Sequence, residues 1–164
     1  MERGWNSELG CFVQSYDSLE LDAANLIMPL VFFIAPSDNR FISTLKATAK
    51  ALSSGGLTVN NLTFRYNPYY LQADKEMQGN DGTFCMCTFW LAEALCLAGK
   101  YDEECLKRSI SMFEDMIGYA NHLGLFSEEI SLSGRSVGNF PQALTHLSLI
   151  SAAFNINRVL ESIK

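Results

Sequence analysis

Histidine and tryptophan are scarce in this 164-residue chain, with two of each. That scarcity removes the usual material of a zinc centre. His122 and His146 do not lie at finger-like spacing from the five cysteines, Cys11, Cys85, Cys87, Cys96 and Cys105. Cys85-Met86-Cys87 alone is a weak ligand pair, so no metal and no cofactor is expected. An odd number of thiols, most of them within helical patterns, reads as the reduced cysteines of a cytoplasmic protein. Positive charge is short as well: twelve scattered Lys and Arg face eighteen Asp and Glu, for a net charge of -6. Nucleic-acid affinity comes from clustered cations on phosphates, so a nucleic-acid partner is not expected. Long apolar runs are absent. The longest, Leu26 to Ala35 (LIMPLVFFIA), holds Pro29 and falls well short of a bilayer span, so no membrane association is expected. The opening MERGWNSELG carries no apolar stretch after its early arginine, and no signal peptide is expected from it.

What is present is apolar material, 48% of the residues, enough for one domain with a sizeable core rather than a disordered chain. Its period is helical, and strand-like alternation is rare. A first helix is expected over Leu19 to Ile34, capped by Asp17 or Ser18 and bent at Pro29. A second, capped by Ser37 or Asp38, should run through Leu52 and stop at Gly55-Gly56. A third covers Gly82 to Ala98, where TFCMCTFWLAEALCLA is apolar on nearly every face and therefore buried, with Gly99 ending it. Asp102 to Leu123 sets Glu103, Glu104, Lys107, Arg108 and Glu114 opposite Leu106, Ile110, Phe113 and Ile117. A fifth helix is expected from Pro141, as a first-turn proline, to Ile163.

The connections carry the candidate chemistry. Ser53 to Asn80 is longer than a compact domain usually tolerates without function. In it, Thr58, Val59, Leu62 and Phe64 suit a short hairpin that presents Arg65, Tyr66, Tyr69 and Tyr70. Aromatic faces cover sugar C–H surfaces and a guanidinium fork bonds paired hydroxyls, so this cluster suits a hydroxyl-rich ligand; ordinary loop packing fits the same spacing equally. Further on, HLGLFSEEI places Glu128 and Glu129 side by side in a loop, ten residues before the amide-rich GNFPQALTH. Adjacent acids there suit the general base of glycoside hydrolysis, although a solvated acidic loop explains the pair alone.

Five strings taken in order resemble the C-terminal portion of the catalytic domain of glycoside hydrolase family 15, the glucoamylase and bacterial trehalase-like family. They are FVQSYDSLELDAANLIMPLVFFIAPSDNRFISTLKAT, GGLTVNNLTFRY, GNDGTFCMCTFWLAEALCLAGKYDEE, NHLGLFSEEI and GNFPQALTHLSLISAAFN, spanning most of Phe12 to Asn155. The resemblance implies an all-α fold of helical hairpins in an (α/α)6 barrel, the six-hairpin glycosidase type, with the site at the loop end. It also implies inverting hydrolysis of terminal alpha-glucosidic bonds, in which one carboxylic acid protonates the leaving oxygen and a carboxylate activates water. Glu128 falls at the position of that base, and Glu129 is its neighbour, expected to contact substrate. Arg65 and Tyr66 match a pair that binds the terminal glucose. Asp81 stands where relatives usually carry Glu, which leaves a ligand role for it open. Trp90 is expected in the core. His146 is expected to hydrogen-bond within the barrel. Asn139 and Gln142 are expected either to shape the loop near the base or to cap the last helix.

The family's general acid lies upstream, in a tryptophan-glutamate string. Here Trp5 precedes Asn6 and Trp90 precedes Leu91, so no tryptophan stands before an acid. Residues 1–164 therefore read as one partial domain, the C-terminal half of the barrel, carrying the base without the acid and expected to be inactive alone. The expected partners are an alpha-glucoside or oligosaccharide and either the missing N-terminal half or a second copy of the chain. Two alternatives stand beside the glucoamylase-like reading: trehalase-like specificity, and a non-catalytic helical interaction or regulatory module that kept the fold.

Overall fold

The computed structural model describes residues 2–68, 82–100 and 102–163. Tyr69, Tyr70 and Asp81 lie outside them. Four helices, α1 (Asn39–Thr48), α2 (Cys85–Ala98), α3 (Glu103–Ile117) and α4 (Ala143–Ser162), form the body. α2 is the axis on which the others pack: of its residues only Met86 and Trp90 are less than buried, so it meets protein on every side. α3 lies against one flank and α4 against another. The core forms three clusters along α2. Phe12, Leu26, Phe41, Leu45, Leu91 and Leu95 belong to one, Phe89, Met116, Phe126 and Ile130 to the next, and Cys96, Leu106, Ile156 and Val159 to the last. Phe89 stands at 5.9 Å from Phe113 and 5.7 Å from Phe126, centroid to centroid, the second pair edge-on. Trp90 packs on the first cluster, as expected.

Two helix starts follow from capping acids. Asp38 accepts the Arg40 amide and Asp102 accepts those of Glu104 and Cys105, satisfying donors that have no partner within a helix. Backbone bonding holds Asp38 well below the usual carboxylate range together with the Arg40 side chain, which contributes most. Several ends differ from expectation. α1 stops at Thr48 rather than Leu52, and a short 3-10 turn, Leu52–Ser54, leads to left-handed Gly55. α3 stops at Ile117, with turns over the following residues. Pro141 is not in the first turn of α4, since it follows a cis peptide bond and precedes Gln142 at the N-cap.

The largest difference concerns residues 19–34. No α-helix forms there; the chain runs extended to Asp22, makes a 3-10 turn at Ala23–Ile27 and continues as turns past Phe32, whose φ is +59°. The physical reason is competition for the backbone. Asp22 accepts the Ala24 amide, Ala23 N–H donates to the Arg65 carbonyl, and Pro29 has no N–H to give.

Besides the N-terminal pair β1 (Trp5–Asn6) and β2 (Cys11–Phe12), two sheets matter for the site. β3 (Thr58–Val59) and β4 (Leu62–Thr63) form the expected hairpin, turned by Asn60 and Asn61, both at positive φ. β5 (Thr83–Phe84), β6 (Glu129–Ile130) and β7 (Ser136–Val137) form an antiparallel sheet with β6 central. Residues 82–84 are therefore strand and approach rather than the opening of α2.

Candidate functional site

The N-terminal end of α2 gathers the candidate residues. Cys85, its first residue, donates its amide to the Glu128 carbonyl at 2.9 Å. Thr63 N–H donates at 2.9 Å to the hydroxyl of Thr88, one turn further along, which docks the segment leading to Arg65 on the same turn. The hairpin and the β5–β6–β7 sheet thus meet where the helix dipole is positive and favours anionic groups. Burial drives the Cys87 thiol up, and the charges of Arg65, Asp22 and Glu129 all reach it, the arginine opposing the rise. Burial likewise pushes Cys85 up to about 12, so these thiols are core groups and not nucleophiles.

Glu128 stands in the bend that leads into β6, as the loop reading expected, and only Glu129 is a strand residue. The two carboxylates, adjacent in sequence, bond different partners. Glu128 Oε2 accepts two hydrogen bonds from one residue, 3.0 Å from the Asn139 amide and 2.8 Å from Asn139 Nδ2. The Glu128 amide in turn donates to the Asn139 carbonyl at 2.9 Å. Gly138 has φ +75°, and a Cβ there would stand 2.9 Å from both Glu128 Cβ and Oε2, so only glycine leaves room for the carboxylate in this pose. Glu129 Oε2 instead accepts the Gly82 amide at 2.9 Å, and a Cβ on Gly82 would meet the Ile130 carbonyl at 2.8 Å. Each acid is thus fixed by a glycine-dependent close approach, Glu128 at Gly138 and Glu129 at Gly82.

Arg65 is half-buried. Burial works against its charge, but a 2.8 Å bond from Nε to Asp22 Oδ1 and the Asp22 charge outweigh it and raise its pKa. Its guanidinium carbon lies 5.1 Å from the Tyr66 ring centroid, within cation–π range. His146 is one shell away: Phe126 N–H donates to its Nε2, so Nδ1 carries the proton and donates to the Gln142 carbonyl at 2.7 Å. Gln142 N–H donates to the Phe126 carbonyl, which ties the start of α4 to the segment before Glu128.

Two residues were not singled out from the sequence. Asp22 lies 43 positions from its partner Arg65 and gave no local signal. Glu93 is fully buried in α2, and there a signal existed, since a lone acid in TFCMCTFWLAEALCLA needs a partner. Its Oε1 accepts from Ser151 Oγ at 2.8 Å and from Asn155 Nδ2, both on α4, while Oε2 has no partner among the described residues. Among the described residues no cluster of His, Cys, Asp and Glu suits a metal ion, and no helix is long and apolar enough to cross a membrane.

The sequence model of glycosyl hydrolases family 15 matches residues 1–154. The chain belongs to that family. A trehalase of Thermoplasma volcanium is 38% identical over 161 residues, 98% of this chain and 24% of the relative. One of Thermoplasma acidophilum is 40% identical over 154 residues, 93% of this chain and 24% of the relative. A trehalase of Mycobacterium tuberculosis is 38% identical over 98% of this chain and 22% of its own length. Family 15 membership thus extends over a chain about a quarter as long as these curated relatives. A wild-type glycosidase structure superposes with TM-score 0.72 at 18% identity, covering 95% of this chain and 40% of that one. A variant glycosidase solved in complex with glucose gives the same score at 17% identity. The architecture is accordingly that of the helix-rich, six-hairpin glycosidases.

Proposed function

We propose that this chain supplies the general-base side of an inverting alpha-glucosidase site, with Glu128 as the base and Arg65 and Tyr66 as the terminal-glucose contacts. The observation that carries the reading is the one-sided tethering of Glu128. Asn139 occupies Oε2 twice, which orients Oε1 as the atom that takes a proton from water. That water attacks the anomeric carbon from the face opposite the leaving oxygen, and a carboxylic acid on the rest of the domain protonates the leaving oxygen. The Arg65 Nη groups bond the hydroxyls of the terminal sugar and Tyr66 covers its C–H surface. Glu129 is the neighbouring substrate-contact candidate, its Oε2 tied to the Gly82 amide.

Residues 1–164 serve in this reading as the C-terminal half of an (α/α)6 barrel whose remainder carries the acid. The short share of each relative supports this, and so does α4, which turns Leu144, Leu147, Ile150 and Phe154 outward on one face. The relatives' names move the substrate preference from maltooligosaccharides toward trehalose. A non-catalytic interaction module is the second reading, favoured by that same exposed face. Turnover separates the two. The complete catalytic domain should hydrolyse trehalose with inversion, the 164-residue chain should not, and Glu128→Gln in the complete domain should lower kcat by about 10²- to 10⁴-fold. An unimpaired Glu128→Gln enzyme ends the assignment.

A further inference from the structure

We infer that Asp22 is the positioning residue of Arg65, holding the guanidinium by Nε so that its two Nη groups point at the ligand; the inference rests on the glucose-binding role proposed for Arg65. Asp22 is nearly buried, and a buried carboxylate is retained at a cost unless its charge and lone pairs are used. Both uses are present. Oδ1 accepts the Ala24 amide at 2.8 Å and Arg65 Nε at 2.8 Å. The backbones close the contact in the other direction, with Ala23 N–H donating to the Arg65 carbonyl at 3.0 Å.

The geometry separates anchoring from presentation. A carboxylate that engages Nη1 and Nη2 as a fork would consume the donors a sugar needs. Here the bond goes to Nε, the donor nearest the chain, and the described residues give Nη1 and Nη2 no other hydrogen bond. A guanidinium is planar, so fixing Nε and the plane fixes the direction of both Nη groups. Asp22 also supplies the counter-charge that offsets the partial burial of the Arg65 guanidinium. The irregular path of residues 19–27 thereby gains a purpose. A regular helix there would commit the Ala23 and Ala24 amides to its own turns, and the Asp22–Arg65 contact would lose its frame.

Arg65 contacts a sugar that is bound in both ground and transition states, so its loss should raise KM more than it lowers kcat. In the complete catalytic domain, Arg65→Met is expected to raise KM for trehalose and Kd for glucose, measured by calorimetry, by about 10- to 100-fold, the range for hydrogen bonds to a charged group. Asp22→Asn keeps an oxygen for Ala24 and should raise both by about 3- to 10-fold, with kcat within about threefold. The double variant should match Arg65→Met alone, because Asp22 acts only through that arginine. Additive losses in the double variant, or an unchanged KM and Kd in Asp22→Asn, overturn the inference and leave Arg65 as a contact. Unchanged glucose affinity in Arg65→Met removes the contact itself, and this inference with it. Should Asp22→Asn lower kcat with KM intact, Asp22 acts on the fold and not through Arg65, which also refutes it.

Discussion

α2 and α4 are both rich in apolar residues, yet they sit in the molecule in opposite ways. α2 buries all but two of its side chains. α4 buries Thr145, Ser148, Ala152, Ile156 and Val159 against the body and turns Leu144, Leu147, Ile150 and Phe154 to solvent. At 100° per residue those two sets occupy opposite faces. The helix is thus apolar on two faces, one packed into the core through Ala152, Ile156 and Val159 and one left exposed. The comparison teaches that an apolar helix announces burial without saying by what. Among the described residues α2 is covered on every side, and α4 on one face.

The strongest way to break that comparison is to cut into α2. Phe89 is fully buried and touches both Phe113 and Phe126, so Phe89→Ala should cost about 3–5 kcal/mol in urea unfolding. A loss below about 1 kcal/mol would mean that α2 is not the centre of an autonomous core.

A smaller effect tests the polar link between the two helices. Burial raises the pKa of Glu93 above its ordinary 4.5, against the lowering bonds from Ser151 and Asn155. The folded state therefore holds the proton more tightly than the unfolded chain, and the sign follows. Below the ordinary carboxyl value both states are protonated and Glu93 costs nothing. As pH rises from there to its folded value, the unfolded state alone ionises, and stability falls. Glu93→Gln keeps an acceptor for Ser151 and Asn155 and cannot ionise. It should match the native chain near pH 4 and exceed it by on the order of 1 kcal/mol near neutrality. Parallel denaturation curves across that range check it, and a constant offset at every pH would exclude ionisation as the cause.

Much of this arrangement is legible in the sequence, and the failures share a cause. Asp38 as a cap, Gly99 as a stop and the hairpin that begins at Thr58 all act over a few residues, where side-chain chemistry decides the backbone. The segment 19–34 has a helical apolar pattern, but its backbone partner is the Arg65 carbonyl, supplied from far along the chain. The β5–β6–β7 sheet escaped because two-residue strands carry no period to detect. At the site, Glu128 and Arg65 stood out by residue type, and the groups that hold them did not. Asn139 was ambiguous between loop and cap, and nothing local connects Asp22 to an arginine 43 positions away.

The smallest expected effect on stability is the sharpest on the comparison. Leu147 and Phe154 are 62% and 64% exposed, so replacing both by serine removes little buried surface and should change the stability of the 164-residue chain by less than about 0.5 kcal/mol. Association should respond differently. An apolar stripe with Val31, Phe32 and Phe33 also exposed is a surface that water disfavours, and the native chain should self-associate with concentration in sedimentation velocity. The double serine variant should sediment as a monomer over the same range. In the complete catalytic domain, where the proposed first half of the barrel covers the stripe, the same pair of substitutions should cost about 2–5 kcal/mol per buried side chain lost. Equal costs in the short chain and the complete domain would mean that the outward face of α4 has no covering partner, and the contrast with α2 would then reflect only how this chain folds by itself.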